Sequence, residues 1–225
     1  MEMKIAGRKT EHGESSRQIA LIYSIREARK RDANRYWRTS FGAGMAELKR
    51  FYRPHDISKI ISEYSQATGI RQPTVLEIGT GPGNAAAELK REKGDSIRLI
   101  ATGVRWLREW DLPAKNGVKF LVLHSQNMSR KIKPESIDII HSNLGFAHSS
   151  HLDTAFREVG KVLKGGGLFL FTAEHDVLPG GAPDNFELLH KSWKVVTKPD
   201  EDDITMTVKK TIHTFLLMKR PRTAE

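Results

Sequence analysis

A short apolar segment that ends in an acid and then meets three alternating glycines constrains this chain more than any other feature. Residues 75–84 read VLEIGTGPGN, and three alanines follow. The pattern predicts a buried strand, a tight turn and the start of a helix. Glycine allows positive φ and lets a ligand approach where a Cβ would block it, and the first turn of a helix adds free N–H groups. Because open α/β sheets bind ligands at the carboxyl ends of their strands, the segment predicts a ligand site there.

The glycine spacing separates two kinds of nucleotide site. A dinucleotide-binding loop has the spacing G-x-G-x-x-G, whereas Gly79, Gly81 and Gly83 follow Glu77 in the order E-x-G-x-G-x-G. This order resembles the first motif of the class I S-adenosylmethionine (SAM)-dependent methyltransferases. In that family the acid precedes the loop, and the loop wraps the methionine part of SAM. The resemblance therefore implies SAM as the cofactor and a Rossmann-like core.

The resemblance continues through most of the chain, from residue 70 to residue 220. Residues 136–144 resemble the family's fourth strand and the loop that faces the transferred methyl group. The segment REVGKVLKGGGLFLF at 157–171 is similar to the family's R-V-L-K-P-G-G stretch, with glycine in place of proline. Residues 164–167 are predicted to end a helix, since glycine is common at helix C-termini, and residues 168–171 to form the next strand. The implied fold is α/β, a seven-stranded, mostly parallel Rossmann-like sheet with helices on both faces and an N-terminal helical cap.

The region before this core has a helical pattern. Four large side chains fall on one face of a predicted helix: Met45, Leu48, Phe51 and Tyr52. Asp56 suits the N-cap of a second helix and Gly69 its end. Further strands are predicted at 96–102, 118–123, 193–197 and 205–218, the last as one strand or a hairpin. We therefore expect two units, a helical cap over residues 1–70 and a SAM-dependent methyltransferase core over residues 71–225.

The nucleoside end of the predicted SAM site departs from the family pattern. The family's second strand usually ends in an acid that binds both ribose hydroxyls. Here the strand ends near Gly103, and the nearest acids, Glu109 and Asp111, come several residues later. The loss of such a charge-assisted bond costs roughly 1.5–3 kcal/mol, although Gln126 or Asn127 can still bond an adenine edge, because an amide offers both a donor and an acceptor. Three readings stay open: an altered nucleoside pocket, a weak SAM binder, and a non-catalytic relative.

The candidate site residues follow from these motifs. The resemblance assigns nine of them to the cofactor: Glu77, Gly79, Thr80, Gly81, Gly83, Gly103, Gln126, Asn127 and Asn143. Asn143 and His148, in the loop after the fourth strand, are the candidate catalytic residues, and His148 and His151 are candidate acceptor contacts. The reference pKa of histidine, near 6.5, suits a general base, but a base is needed only if the acceptor must lose a proton. A structural role for His148 is the alternative, and no metal is predicted because the two histidines have no evident third ligand.

The acceptor is less constrained than the cofactor. Residues 26–53 hold nine Lys or Arg against three acids, with five aromatic residues among them. Arg35, Trp37 and Arg38 are predicted to contact the acceptor, because basic side chains bind phosphates and aromatic ones stack on bases. An amphipathic cap with its charges in water is the alternative. We expect methyl transfer to RNA or to a small-molecule acceptor; the alternative function is a non-catalytic methyltransferase-like module that binds RNA or protein.

The amino-acid composition excludes several kinds of chemistry and bears on partners and location. The chain of 225 residues has no cysteine, which excludes disulfides and thiolate chemistry, and its formal net charge of +10 favours polyanionic partners without selecting one. No segment is long and apolar enough to span a membrane and the first residues lack an apolar signal region, so a cytoplasmic protein is expected. The acidic run at 200–203 is typical of a solvated loop rather than a metal site. The sequence does not predict the oligomeric state.

Overall fold

The computed structural model describes residues 44–199 and 207–221. The helices are α1 (Met45–Tyr52), α2 (Ile57–Thr68), α3 (Asn84–Lys93), α4 (Asp111–Lys115) and α5 (Leu152–Val162), with short 3₁₀ helices at Gly94–Ser96, Arg108–Trp110 and Ser125–Arg130. The strands are β1 (Thr74–Ile78), β2 (Arg98–Gly103), β3 (Val118–Val122), β4 (Ile137–Ser142), β5 (Leu163–Ala173), β6 (Phe186–Pro199) and β7 (Thr207–Lys219). Within these two ranges no helix has the length and hydropathy to cross a bilayer. Arg35, Trp37, Arg38 and the acidic run at 200–203 lie outside the described residues.

The strands form a seven-stranded sheet in the order β3-β2-β1-β4-β5-β7-β6. The first five strands pair in parallel, whereas β7 runs antiparallel to both β5 and β6. The sheet is therefore mixed, and the prediction of a mostly parallel sheet is wrong. The reason is the direction of β7, which lies between β5 and β6 and runs antiparallel to both. β6 begins at Phe186, well before the predicted start at Trp193, and β6 and β7, with 14 and 13 residues, are the longest strands of the sheet.

Helices cover both faces of the sheet, as predicted. On one face, Phe156 of α5 packs in a cluster with Phe169 of β5. On the other face, Leu48 of α1 and Leu89 of α3 pack in a second cluster with Val75 of β1. Consecutive residues of a strand point to opposite faces, so the central strands contribute side chains to both clusters.

The first N-terminal helix has the predicted buried face, and the second has the predicted ends. All four predicted apolar residues of α1 are buried: Met45, Leu48, Phe51 and Tyr52. Asp56 caps α2, because its Oδ1 accepts a hydrogen bond from the backbone N–H of Ser58 at 2.9 Å, and Gly69 ends α2 with a φ of 72°. Residues 44–69 thus belong to the helical layer on one face of the sheet, and the division of the chain at residue 70 stays a prediction.

The glycine tract before the fifth strand differs from the prediction. α5 ends at Val162, and Lys164 to Gly167 lie inside β5 rather than at a helix end. The pairing with β4 shifts register between Ile137 and Ile139, so the tract forms an irregular, bulged stretch of strand. A Cβ on Gly167 would lie 2.9 Å from the carbonyl oxygen of Asp138. The glycines therefore permit close approach of two strands, a second use of glycine that the sequence pattern does not distinguish from a helix end.

Candidate functional site

The loop after β1 has the backbone that its glycines predict. Gly79, Gly81 and Gly83 all have positive φ, at 73°, 54° and 85°. The N–H groups of Gly79 and Thr80 donate to the carbonyl of Thr102 at 3.0 and 2.9 Å, which anchors the loop to the end of β2. A Cβ on Gly81 would meet no described atom within 4 Å. The middle of the loop is therefore the part with room for a ligand beside its backbone.

Glu77, the acid of the motif, is buried at the carboxyl end of β1. The hydroxyl of Thr80 donates to its Oε2 at 2.8 Å. Burial raises the pKa of the Glu77 carboxyl to about 7, and the Thr80 hydrogen bond only partly offsets this effect. The group is thus close to half protonated at neutral pH, which makes its charge responsive to a bound cation.

A second pair of buried polar groups lies beside Glu77. His141 of β4 is the register partner of Glu77 in the parallel pairing, and its Nδ1 lies 3.2 Å from the hydroxyl of Tyr52 in α1. Burial lowers the pKa of His141 to about 3, and burial together with the charge of Glu77 raises the pKa of Tyr52. Both side chains are therefore neutral, and they connect α1 to the strand ends at the cofactor motif.

The loops after β1 and β4 are in direct backbone contact. A Cβ on Gly79 would lie 2.8 Å from the Cα of Gly145. Ser142 links the same two loops, because its hydroxyl donates to the carbonyl of Ile78 and accepts from the N–H of Phe146, both at 2.8 Å. Both hydrogen bonds of the Ser142 hydroxyl are therefore made within the protein. Residue 145 must be glycine because the backbone of the loop after β1 lies against it.

Asn143 stands at the carboxyl end of β4. Its Oδ1 accepts a hydrogen bond from the Thr172 hydroxyl at 2.9 Å, and the same hydroxyl accepts from the N–H of Leu144 at 3.0 Å. Leu144 has a φ of 62°, a conformation that a non-glycine residue adopts at a cost and mostly at functional sites. Asn143 thus begins the loop whose Gly145 contacts Gly79 of the glycine loop.

The end of β2, where the family places a ribose-binding acid, is occupied by an aromatic side chain. A Cβ on Gly103 would lie 2.8 Å from the Trp110 ring. The Trp110 indole N–H donates to the carbonyl of Gly81 at 2.7 Å, and its ring stacks on Phe120 with centroids 4.7 Å apart. Trp110 is fully buried, so this tryptophan, which no sequence motif marks, helps to fix the glycine loop.

The predicted adenine contacts lie in the 3₁₀ helix after β3. The Gln126 amide is 2.9 and 3.0 Å from the hydroxyls of Ser149 and Ser150. Turning the amide over places its oxygen 3.2 Å from the N–H of His151, at the start of α5. Gln126 therefore ties the loop after β3 to the loop between β4 and α5. Asn127 has a non-helical backbone inside the 3₁₀ segment, with φ at −138°.

The two candidate histidines are exposed, on the loop that leads into α5. His151 directly precedes the helix and makes no side-chain cap. No group of three His, Cys, Asp or Glu side chains that could hold a metal occurs in the described part of the chain. The roles of His148 and His151 in binding an acceptor stay predictions.

The fold and the loop together define a class of protein. The chain is an α/β protein with the Rossmann-like methyltransferase architecture, in which a glycine loop follows β1 and a strand pair with β7 antiparallel closes the sheet. A family model described as a methyltransferase domain matches residues 76–171. No curated protein sequence matches the chain.

Solved structures of the same architecture resemble this chain at low sequence identity. A candidate sarcosine dimethylglycine methyltransferase of Galdieria sulphuraria has a TM-score of 0.52 and 15% identity, covering 74% of this chain and 86% of its own. A candidate methyltransferase of Bacillus halodurans has a TM-score of 0.51 and 13% identity, covering 73% and 100%. The [4+2]-cyclase SpnF has a TM-score of 0.50 and 14% identity, covering 74% and 82%. At these identities the likeness shows the fold.

Residues 76–171 thus match a methyltransferase domain, and the chain has the fold of the class I SAM-dependent methyltransferases. This assignment confirms the family that the glycine motif indicates. The family implies SAM as the methyl donor, while the individual site residues keep the roles that the sequence predicts for them.

Proposed function

We propose that this enzyme transfers the methyl group of SAM to a nucleophilic atom of RNA or of a small-molecule acceptor, which enters over residues 143–151. The observation that carries this proposal is the direct contact between the glycine loop and the loop after β4, at Gly79 and Gly145. The contact brings the predicted cofactor loop and Asn143 to the same edge of the sheet. A cofactor in that loop and an acceptor over the second loop would then meet at Asn143.

The residues present fit the methionine half of SAM. Gly81 offers backbone at positive φ with open space beside it, and the buried Glu77 carboxyl supplies a negative charge once it loses its proton. SAM supplies an activated methyl group on a positively charged sulfur. Glu77 would favour such a cation electrostatically, and the loop backbone would hold its polar end.

The nucleoside half of the site would be recognised differently from the family pattern. Trp110 covers Gly103, and Trp106, half exposed, stands with its ring centroid 5.3 Å from that of Trp110. Arg105, also exposed, follows the end of β2 by two residues. Aromatic faces in place of a carboxylate suit stacking on the adenine better than bonds to the ribose hydroxyls.

On the acceptor side, Asn143 is the best-supported positioning residue. Thr172 holds its side-chain oxygen, so the amide has a fixed orientation and offers its N–H donors to an acceptor. Alignment of the acceptor atom with the methyl group supplies much of the rate in such a displacement. A general base is required only for an acceptor that loses a proton, and His148 is then the candidate.

The binding step is tested by calorimetry with SAM and with S-adenosylhomocysteine on Gly81→Val and Gly69→Val. Both glycines have positive φ and nothing near the position of a Cβ, so both changes carry a similar backbone strain of about 1–2 kcal/mol. Only Gly81→Val should abolish binding. Equal binding by the two variants would refute the role of the loop.

The acceptor is identified by transfer of a labelled methyl group from SAM into fractionated cell extract. Label in RNA or in small metabolites supports the corresponding acceptor class. Label confined to protein or lipid would contradict the proposal. A folded wild-type protein that binds no SAM would leave a non-catalytic module as the remaining function.

A further inference from the structure

Basic side chains gather where the end of α1 meets β6. The ammonium of Lys194 donates to the backbone carbonyl of Arg50 and, at 3.4 Å, to that of Arg53. Burial lowers the pKa of Lys194, and the positive charges of Arg53 and Arg50 lower it further. The ammonium is therefore held among like charges at the end of the helix.

Two histidines continue this line of basic groups. The rings of His55 and His190 meet edge to face with centroids 4.6 Å apart. The Nε2 atoms of both rings are buried, with no hydrogen-bond partner within the described residues. Burial and the proximity of His190 lower the pKa of His55. We call these five residues the cationic seam: Arg50, Arg53, His55, His190 and Lys194.

Two cations of the seam have no acidic side chain beside them among the described residues. Neither Arg53, which is exposed, nor Lys194 has an acidic partner in the part of the chain that the structure describes. The adjacent acid, Asp56, is engaged by Lys49 at 3.6 Å and by the N–H of Ser58. The positive charges of Arg50 and Arg53 beside Lys194 mark a place where a bound anion would be stabilised.

The seam borders the loop that faces the acceptor. Leu144 of that loop packs in a small cluster with Phe51 of α1 and Val196 of β6. Lys194 lies two residues from Val196 on the same face of the strand, and Arg53 follows Phe51 by two residues. An anion bound in the seam would therefore lie beside the loop after β4.

We infer that the cationic seam binds a phosphate group of the methyl acceptor. That the bound molecule is the methyl acceptor rests on the proposed function. The inference narrows this acceptor to a molecule that carries a phosphate group. The guanidinium of Arg53 offers a fork of donors that matches phosphate geometry, and the Lys194 ammonium, already fixed by two carbonyls, adds a positioned charge. Such a phosphate comes either from an RNA backbone or from a phosphorylated small molecule.

The test compares an Arg53→Gln and Lys194→Met double variant with an Arg91→Gln and Lys133→Met double variant. The control changes the same residue types at exposed positions outside the seam. Because Lys194 also holds the end of α1, Arg53→Gln is measured alone as well. The thermal midpoint and SAM affinity of each variant report whether the fold and the cofactor site survive.

Two probes, pyrophosphate and bulk tRNA, are titrated against each protein at several salt concentrations. The seam variant should bind at least one probe weaker by roughly tenfold or more, from the loss of charge-assisted bonds. If the source is RNA, the slope of log affinity against log salt should also fall by about 1–2. The control variant should match the wild type.

The outcomes separate the sources and the two proposals. Loss confined to pyrophosphate indicates a phosphorylated small molecule, and loss confined to tRNA indicates an RNA backbone. Equal affinities of the seam and control variants for both probes, or no binding of either probe by the wild type, would overturn the inference. Failure of SAM binding with intact phosphate binding would instead count against the proposed function alone.

Discussion

Replacing Glu77 with glutamine should stabilise the fold at neutral and alkaline pH while weakening SAM binding. Burial raises the pKa of the Glu77 carboxyl from the ordinary 4.5 to about 7. Between these two values the folded chain keeps a proton that the unfolded chain has lost. The free energy of unfolding therefore falls as pH rises from 4.5 to 7, and the full loss persists above pH 7.

The magnitude follows from the difference between the two pKa values. At about 1.4 kcal/mol per pKa unit, ionising Glu77 costs the folded state about 3 kcal/mol at pH 8 and under about 1 kcal/mol at pH 5. Glutamine keeps the shape, carries no charge, and its side-chain oxygen still accepts from Thr80. Glu77→Gln should therefore raise the free energy of unfolding by about 3 kcal/mol at pH 8 and by much less at pH 5.

The assay is urea denaturation of wild type and variant at pH 5, 6, 7 and 8, with Glu158→Gln as a control of opposite sign. Burial alone would raise the pKa of Glu158, but hydrogen bonds from Lys161 and Ser129 outweigh it and lower the pKa. Glu158 therefore stabilises above its unfolded pKa and loses this contribution as pH falls, so its loss should destabilise at pH 7. A Glu77→Gln variant no more stable than wild type at pH 8 would refute the argument from burial.

The same carboxyl predicts the pH dependence of the cofactor site. A cationic ligand favours the ionised carboxylate, so SAM affinity of the wild type should fall as pH drops below 7, with release of protons on binding. Glu77→Gln should bind SAM more weakly at pH 8 and with little dependence on pH. Calorimetry in buffers of different ionisation enthalpy measures both effects, and a flat wild-type profile from pH 6 to 8 would contradict them.

Two further changes test the contacts around the site. Gly145→Ala places a Cβ 2.9 Å from the Cα of Gly79. It should therefore lower the free energy of unfolding by about 2 kcal/mol or more and weaken SAM binding. The control Gly180→Ala, whose Cβ would lie in open space, should do neither. Tyr52→Phe leaves the buried Nδ1 of His141 without its partner, so it should lower the free energy of unfolding by about 1–3 kcal/mol. An unchanged free energy of unfolding in urea denaturation would show that this hydrogen bond does not stabilise the fold.

Features that the sequence predicted well are those fixed by local backbone chemistry. Gly79, Gly81 and Gly83 predict a turn with positive φ because few other residues adopt it at low cost. Asp56 and Gly69 mark the ends of α2 because a side-chain acceptor and a left-handed residue satisfy free helix ends. In each case the deciding interaction lies within a few residues of the signal.

Features that the sequence missed depend on partners that are distant along the chain. The Tyr52–His141 contact joins residues 89 positions apart, and Lys194 reaches a carbonyl 144 positions away. Nothing in the neighbourhood of His141 distinguishes it from an ordinary residue of an apolar strand. The glycine tract at 165–167 differs from the prediction for a related reason, because Gly167 is required by the approach of β4 and not by the end of the helix before it.

The two halves of the predicted SAM site also differ in how far the local sequence specifies them. This difference bears on the departure from the family pattern at the end of β2. The methionine half is built from backbone, so the family's glycine spacing carries over to this chain intact. The nucleoside half is built from side chains, and here Trp110 takes the position over Gly103 while also donating to the carbonyl of Gly81. A change at the end of β2 is therefore coupled to the glycine loop through one indole. We therefore propose that the missing ribose-binding acid accompanies a rebuilt pocket wall, in which the Trp110 side chain fixes the loop.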